Sequence, residues 1–434
     1  MHEFPGCLGL ECAREYSRIM ESQWWPAKKL ATQAFQRLRR VIIGAYESIP
    51  YYEKTFDRTG ILPQQIRTPE DVALLPTLSK DDLRLHFSEL KSTTALTQEA
   101  RLARTSGSTG TPVQFYLARY VDEIEYAYLW RHWNWAGFNY GDRAVVIRGL
   151  RLEGTGDGNP PYKVDRENGR TNLYISSYHL NETNLHFYFQ LMARFHPKII
   201  RAYPSTLDIL TRFAESFGHK VVSVQSIITA SETLSDSVRD RAEGFWQCRI
   251  FDWYGQRERV AAIGQCECGN YHINEEYSYV ELISLGDDLF EIVGSSFNNA
   301  VMPLLRYRTG DLARRLVHKC PCGRGLPALQ RIEGRTSQML LSTDGRWLFP
   351  SALQEVFESC SNIRMAQVIQ KEQEYVEVRI VPANEFQEEE RLRLSLKRLL
   401  GPDINLCFVY VSDIEPGRTG KRPLVVSHLP EPFS

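Results

Sequence analysis

At 434 residues the chain is long enough for two or more packed units, and its 43% hydrophobic and 24% charged residues are those of a globular protein. A formal net charge of -1 gives no electrostatic reason to expect nucleic acid or an anionic membrane as partner, and no run approaches the roughly 18 apolar residues that span a bilayer. Nine cysteines, an odd count, argue against a disulfide scaffold, and the first residues lack the basic-then-apolar order of a secretory signal, so a cytoplasmic location is expected.

Up to about residue 60 the chain reads as helical, with Leu30, Ala34, Leu38 and Ile42 at helical spacing. Trp24-Trp25, at a helix boundary, is expected in the core. From about residue 100 to 260, short apolar runs alternate with helical stretches. Ala144 to Ile147, Lys198 to Ala202, Ser226 to Thr229 and Arg249 to Trp253 read as buried strands, with helices at Ser205 to Phe217 and Ser235 to Trp246. That alternation predicts parallel strands with helical crossovers, whose ligands bind beyond the carboxyl ends of the strands, where Tyr203-Pro204-Ser205 and Tyr254-Gly255 fall. Near Gly334-Arg335 the texture changes. Strands are predicted at Gln338 to Leu341, Met365 to Gln370, Val376 to Val381 and Leu406 to Val411, with helices at Ser351 to Glu358 and Gln387 to Leu400. The expected fold is α/β: a large N-terminal domain, 1–334, of several subdomains with parallel sheets flanked by helices, and a small mobile α+β domain, 335–434.

Two stretches stand out for chemistry. Thr105-Ser106-Gly107-Ser108-Thr109-Gly110-Thr111-Pro112 is rich in hydroxyls and glycines, which let the backbone close on an anion and hold phosphate oxygens. It lacks the Gly-Lys-Ser/Thr ending of a P-loop NTPase; the competing reading is a linker. Cys266-Glu267-Cys268-Gly269 and Cys320-Pro321-Cys322-Gly323 are two Cys-x-Cys-Gly units about fifty residues apart. A glycine after the second cysteine permits the turn whose amides face thiolate sulfurs. Together Cys266, Cys268, Cys320 and Cys322 would complete a closed four-sulfur zinc site, with His272 or His318 as substitutes.

The loop, followed in order by Tyr254-Gly255 with Glu258, Tyr307-Arg308-Thr309-Gly310-Asp311, Gly334-Arg335 and Gly420-Lys421, resembles the adenylate-forming superfamily of acyl-CoA synthetases. Pro50-Tyr51-Tyr52, Leu75-Pro76-Thr77-Leu78-Ser79-Lys80 and Arg306 to Asp311 are closest to its phenylacetate-CoA ligase-like branch, which includes proteins linked to capsular polysaccharide synthesis. The resemblance implies that Thr105, Ser106, Gly107, Ser108, Thr109, Gly110 and Thr111 hold the ATP phosphates. Tyr254 and Gly255 on one side and Ala230, Ser231 and Glu232 on the other would line the adenine. Asp311 and Arg335 would contact the ribose, Glu258 would bind Mg²⁺, and Lys421 would reach the carboxylate and α-phosphate. His132, Trp135 and Tyr203 would border the acyl pocket, with plain packing as the competing role.

The implied activity is that of an AMP-forming acid–thiol ligase. A carboxylic acid, aryl or arylacetic, would be activated with ATP and Mg²⁺ and passed to coenzyme A. Structural zinc is expected; no nucleic acid or membrane partner is, and a homodimer is left open. Three positions depart from the pattern. Thr111 stands where lysine is common. Arg257 stands beside Glu258 in place of a small hydroxyl residue, either adding charge near the phosphates or pointing away. Thr336-Ser337-Gln338 replaces an acidic hinge pair. The hinge motivates a rival in which the acyl or adenylyl group goes to an amine or hydroxyl. A further rival is a zinc-stabilised nucleotide-binding protein without catalysis.

Overall fold

A computed structural model describes residues 9–94, 100–105, 113–153, 158–166, 171–286, 288–383, 385–417 and 420–430. The described chain divides into two compact units, each drawn from separate stretches of sequence.

One unit combines the residues up to 140 with Phe251–Ile332. Helix Ala27–Ser48 buries the predicted stripe of Leu30, Ala34, Leu38 and Ile42. Leu38 and Ile42 pack with Leu78, Phe115, Val301 and Tyr307 in one core. The next helix, Pro50–Thr59, opens on proline, whose missing amide costs nothing there, and ends at the left-handed Gly60. Trp24 corrects the expectation: it is 54% exposed, in the connection between helices Leu10–Ser22 and Ala27–Ser48. The Arg324 guanidinium covers the ring of Trp24 and the Lys29 ammonium that of Trp25, so cations do the work the core was expected to do.

The rest of this unit is a sheet in the order Ser278–Gly286, Leu289–Ser296, Tyr307–Arg315, Ala328–Arg335, Tyr271–Ile273, Ala262–Gln265 and Arg249–Gly255. Its recorded pairings are antiparallel, an arrangement that the alternation of strands and helices further up the chain does not announce. Buried Arg131 ties it to the first helix, donating to Ile19 O at 2.9 Å and to Glu276 Oε1 at 2.9 Å, while Ser22 Oγ donates to the same carboxylate oxygen at 2.8 Å.

Next to that satisfied pair, Glu275 has an oxygen, Oε2, that is buried without a partner. Burial, reinforced by the charge of Glu276, pushes its pKa from 4.5 up to about 7. The folded chain therefore keeps a proton that the unfolded chain releases, and this residue's penalty grows as pH rises from 4.5 through about 7. Glu275→Gln is expected to raise the unfolding free energy read from urea titration at pH 8 by on the order of 1–2 kcal/mol, and to lose most of that gain at pH 5. An equal shift at both pH values would contradict the assignment.

The other unit contains Gly141–Ile250 and the residues from 333 onward. Parallel strands run in the order Ser226–Ala230, Ile199–Ala202, Arg143–Arg148, Thr171–Ser176, with Tyr162–Asp165 antiparallel at the edge. Helices Glu182–Phe195 and Pro204–Ser216 are the crossovers, and Asp236–Trp246 follows the last of these strands. The strands are short apolar runs because both faces are covered: Val145, Ile147, Leu173, Ile200 and Ile227 are all wholly buried. Their carboxyl ends deliver Arg148, Tyr203 and Ala230-Ser231-Glu232. Beyond residue 340 a four-stranded sheet, in the order Asn405–Tyr410, Tyr375–Pro382, Ile363–Glu372, Val425–Ser427, packs with helices Pro350–Glu358 and Glu389–Leu400. Its core includes Leu353, Val376, Leu396 and Leu400. Among the described residues no helix is long and apolar enough to cross a membrane.

Candidate functional site

The hydroxyl-rich loop is closed at its base by a β-hairpin, Ala100–Arg104 with Gln114–Ala118. Thr105 N donates to Val113 O at 2.9 Å, and Thr105 Oγ1 accepts from Val113 N at 2.9 Å. Ser106, Gly107, Ser108, Thr109, Gly110 and Thr111 lie outside the described residues. Arg257 donates to Arg104 O at 3.4 Å, so its guanidinium sits at the start of the loop.

In the same unit two predicted residues, Tyr254 and Asp311, are bonded to each other. The Tyr254 hydroxyl donates to Asp311 Oδ2 at 2.7 Å and accepts from Gln256 Nε2 at 3.0 Å. Burial and the Asp311 charge hold the Tyr254 phenol far above its usual range, so it remains a donor. Asp311 is buried, and its amide donates to Thr309 Oγ1 at 3.0 Å. Glu258, buried one turn beyond Tyr254-Gly255, accepts from Tyr307 Oη at 3.1 Å. Leu78 joins Tyr307 in an isolated parallel bridge, which gives the Leu75 to Lys80 motif a mechanical role: it braces the strand that carries Asp311.

In the other unit Lys421 Nζ donates to Ser231 O at 2.5 Å and lies 5.7 Å from the centre of the Tyr203 ring. The segment is pinned on both sides of the lysine. Ser177 Oγ donates to Gly420 O at 3.0 Å, and Arg422 donates to Ser177 O at 3.3 Å. A β-carbon at Gly420 would fall 2.5 Å from both Gly149 Cα and Ser177 Oγ, and its φ is +76°, so glycine is required there. Exposed Arg335 ends strand Ala328–Arg335, and buried Thr336 and Ser337 follow where an acidic hinge was expected.

The cysteine units also converge, with one substitution. The donor atoms of Cys266, His272, Cys320 and Cys322 all lie within 4.8 Å of one another; Cys268 is exposed and outside this set. Gly269 and Gly323 both adopt φ +83°, the turn each unit was expected to make. The Cys268 amide lies 3.4 Å from Cys266 Sγ. Strand register explains His272: it pairs with Gly264 in the hairpin just ahead of Cys266. Its Nδ1 donates to Leu326 O at 3.1 Å, which leaves Nε2, 3.2 Å from Cys322 Sγ, as the free ring nitrogen. Burial lowers its pKa to about 4 and keeps it neutral, as a ligand must be. Three sulfurs and one imidazole suit a tetrahedral zinc ion.

Residues 340–428 match the family model described as the CapK C-terminal domain. The chain is 23% identical to protein CapK of Staphylococcus aureus over 392 residues, covering 87% of this chain and 85% of that protein. It is 26% identical over 347 residues to a phenylacetate-coenzyme A ligase of Thermus thermophilus, 74% of each. Among solved structures, a 2-hydroxyisobutyryl-CoA ligase in the postadenylation state aligns with a TM-score of 0.72 at 17% identity, over 93% of this chain and 91% of that one. The chain shares its fold with acyl-CoA ligases. In sequence it is similar to phenylacetate-CoA ligases and to CapK.

Two residues beside these groups were missed in the sequence. Gln256 props the Tyr254 hydroxyl, and Arg148 ends a parallel strand with its guanidinium 4.6 Å from the Tyr203 ring. A charged residue closing an apolar run at a strand's carboxyl end was the available signal for Arg148. His132 is buried among Trp135, Phe251 and Trp253, with Nε2 3.1 Å from Gln265 O and Nδ1 without a partner. Burial lowers its pKa to about 3, so it stays neutral. Trp135 donates from Nε1 to Gln23 at 2.8 Å and packs edge-on to His272.

Proposed function

We propose that the protein activates a carboxylic acid with ATP, releasing pyrophosphate, and then transfers the acyl group to the thiol of coenzyme A, releasing AMP. The observation that carries this reading is Lys421, tethered by its ammonium to Ser231 O beside Tyr203. A carboxylate attacking the α-phosphorus joins two anions, and a cation fixed before the reaction lowers that barrier without reorganising. Asp311, held by Tyr254, is a bidentate acceptor for two ribose hydroxyls. Tyr254→Phe is expected to raise the KM for ATP about tenfold, the loss of one hydrogen bond to a charged group; an unchanged KM would detach Asp311 from the ribose.

Glu258 would hold Mg²⁺, which when bound screens the triphosphate. Residues 335–434 would act as a lid that brings Lys421 in for the first step and withdraws it for the second. Resemblance favours an aryl or arylacetic acid. Similarity to CapK over 87% of the chain, with Thr336-Ser337 at the hinge, supports a second reading in which an amine or hydroxyl accepts the group. The two readings separate in one assay. AMP formation that depends on coenzyme A supports the ligase, whereas turnover driven by an amine without coenzyme A supports the alternative.

A further inference from the structure

The turn Ala230-Ser231-Glu232 gives one acceptor from each residue to a different neighbour. Ala230 O accepts from Arg148 Nη1 at 3.4 Å, Ser231 O from Lys421 Nζ at 2.5 Å, and Glu232 Oε2 from the Ser205 amide at 3.0 Å. Ser231 sits at φ +75°, a conformation a serine adopts only when its surroundings hold it there. The Ser205 amide belongs to the first turn of helix Pro204–Ser216, where a carboxylate is favoured, and that helix is capped by Tyr203. Both cations lie within reach of the Tyr203 ring, Arg148 at 4.6 Å and Lys421 at 5.7 Å. Like charges beside one ring repel, and the carboxylate of Glu232, which interacts electrostatically with both, offsets that repulsion. Its Oε1 is shut off from solvent and has no hydrogen-bond partner, so water does not screen its interaction with the two cations. Burial raises its pKa, opposed by the Ser205 amide and then by Lys421 and Arg148.

We infer that Glu232 is a positioning residue: it clamps the turn to the helix N-terminus and holds Lys421 and Arg148 together over Tyr203, ready for adenylation. This goes beyond lining the adenine and rests on Lys421 as the adenylating lysine. The two roles move different constants. A positioning residue acts on the first step itself, so Glu232→Gln, which keeps the acceptor and loses the charge, should lower kcat for pyrophosphate release about tenfold and leave the KM for ATP within about twofold. An adenine contact would do the reverse, and that result would overturn the inference.

A second measurement needs no activity. Reductive methylation of the full-length protein, followed by mass spectrometry, compares labelling of Lys421 with that of Lys371. Glu232→Gln should raise the ratio about fivefold, and Glu232→Asp, which keeps the charge, should return it towards wild type. A ratio unchanged in folded Glu232→Gln overturns the inference, even in a preparation in which no acid has been found to react. Absence of pyrophosphate release from the wild type, with the labelling shift present, counts against the proposed function alone.

Discussion

Lys421→Ala is expected to lower acid-dependent pyrophosphate release by about 10²–10³-fold, while ATP affinity changes by less than about threefold. The asymmetry follows from geometry. Lys421 Nζ is held by a backbone carbonyl, Ser231 O, so its place does not depend on the nucleotide being bound. Its contribution would be a charge close to where the carboxylate meets the α-phosphate. Ground-state binding would be shared among Asp311, Glu258 and the loop that begins at Thr105, none of which the substitution touches. Stopped-flow pyrophosphate detection beside nucleotide titration separates the two effects. Equal loss of binding and rate would make Lys421 a binding residue only.

The second large effect concerns the cysteine–histidine cluster. Purified protein is expected to carry about one equivalent of zinc. Cys266→Ser, Cys320→Ser, Cys322→Ser and His272→Ala should each reduce it sharply, whereas Cys268→Ser should not, because Cys268 lies outside the converging set. With zinc at 100–1,000 times its dissociation constant, removing it costs about 2.7–4.1 kcal/mol of stability. That loss should also reach helix Val121–Trp135, since Trp135 packs on His272 and under the guanidinium of Arg324. Metal analysis with thermal unfolding, with and without a chelator, reads both. Loss of zinc from Cys268→Ser but not from His272→Ala would restore the four-sulfur site.

Much of this was legible in the residues, for identifiable reasons. The buried parallel strands near Val145, Ile200 and Ile227 read as short apolar runs because helices cover both faces. Helix Glu389–Leu400 was visible from the periodic Leu392, Leu396 and Leu400. The antiparallel strands from Ser278 to Arg315 were passed over, although Tyr279, Val280, Leu282, Ile283 and Leu285 give the first of them a strand-like apolar content; most of Ser278–Gly286 is only half-buried. Motif order found Asp311 and Lys421, yet the bond from Tyr254 to Asp311 joins residues 57 apart in sequence and exists only once the sheet forms. Cysteine spacing marked the two units that converge but could not choose among four cysteines and two nearby histidines, because strand register makes that choice. Trp24 was misjudged because a guanidinium can shield an indole outside the core.

Every role proposed for Lys421, Asp311 and Glu258 depends on adenylation. The most direct measurement is pyrophosphate release from ATP and Mg²⁺ across a panel of aromatic, aliphatic and amino acids, without coenzyme A. Release that depends on one class of acid and disappears in Lys421→Ala is the expected result. Folded protein that releases no pyrophosphate with any acid, while still binding ATP, would contradict it and leave a nucleotide-binding protein without catalysis.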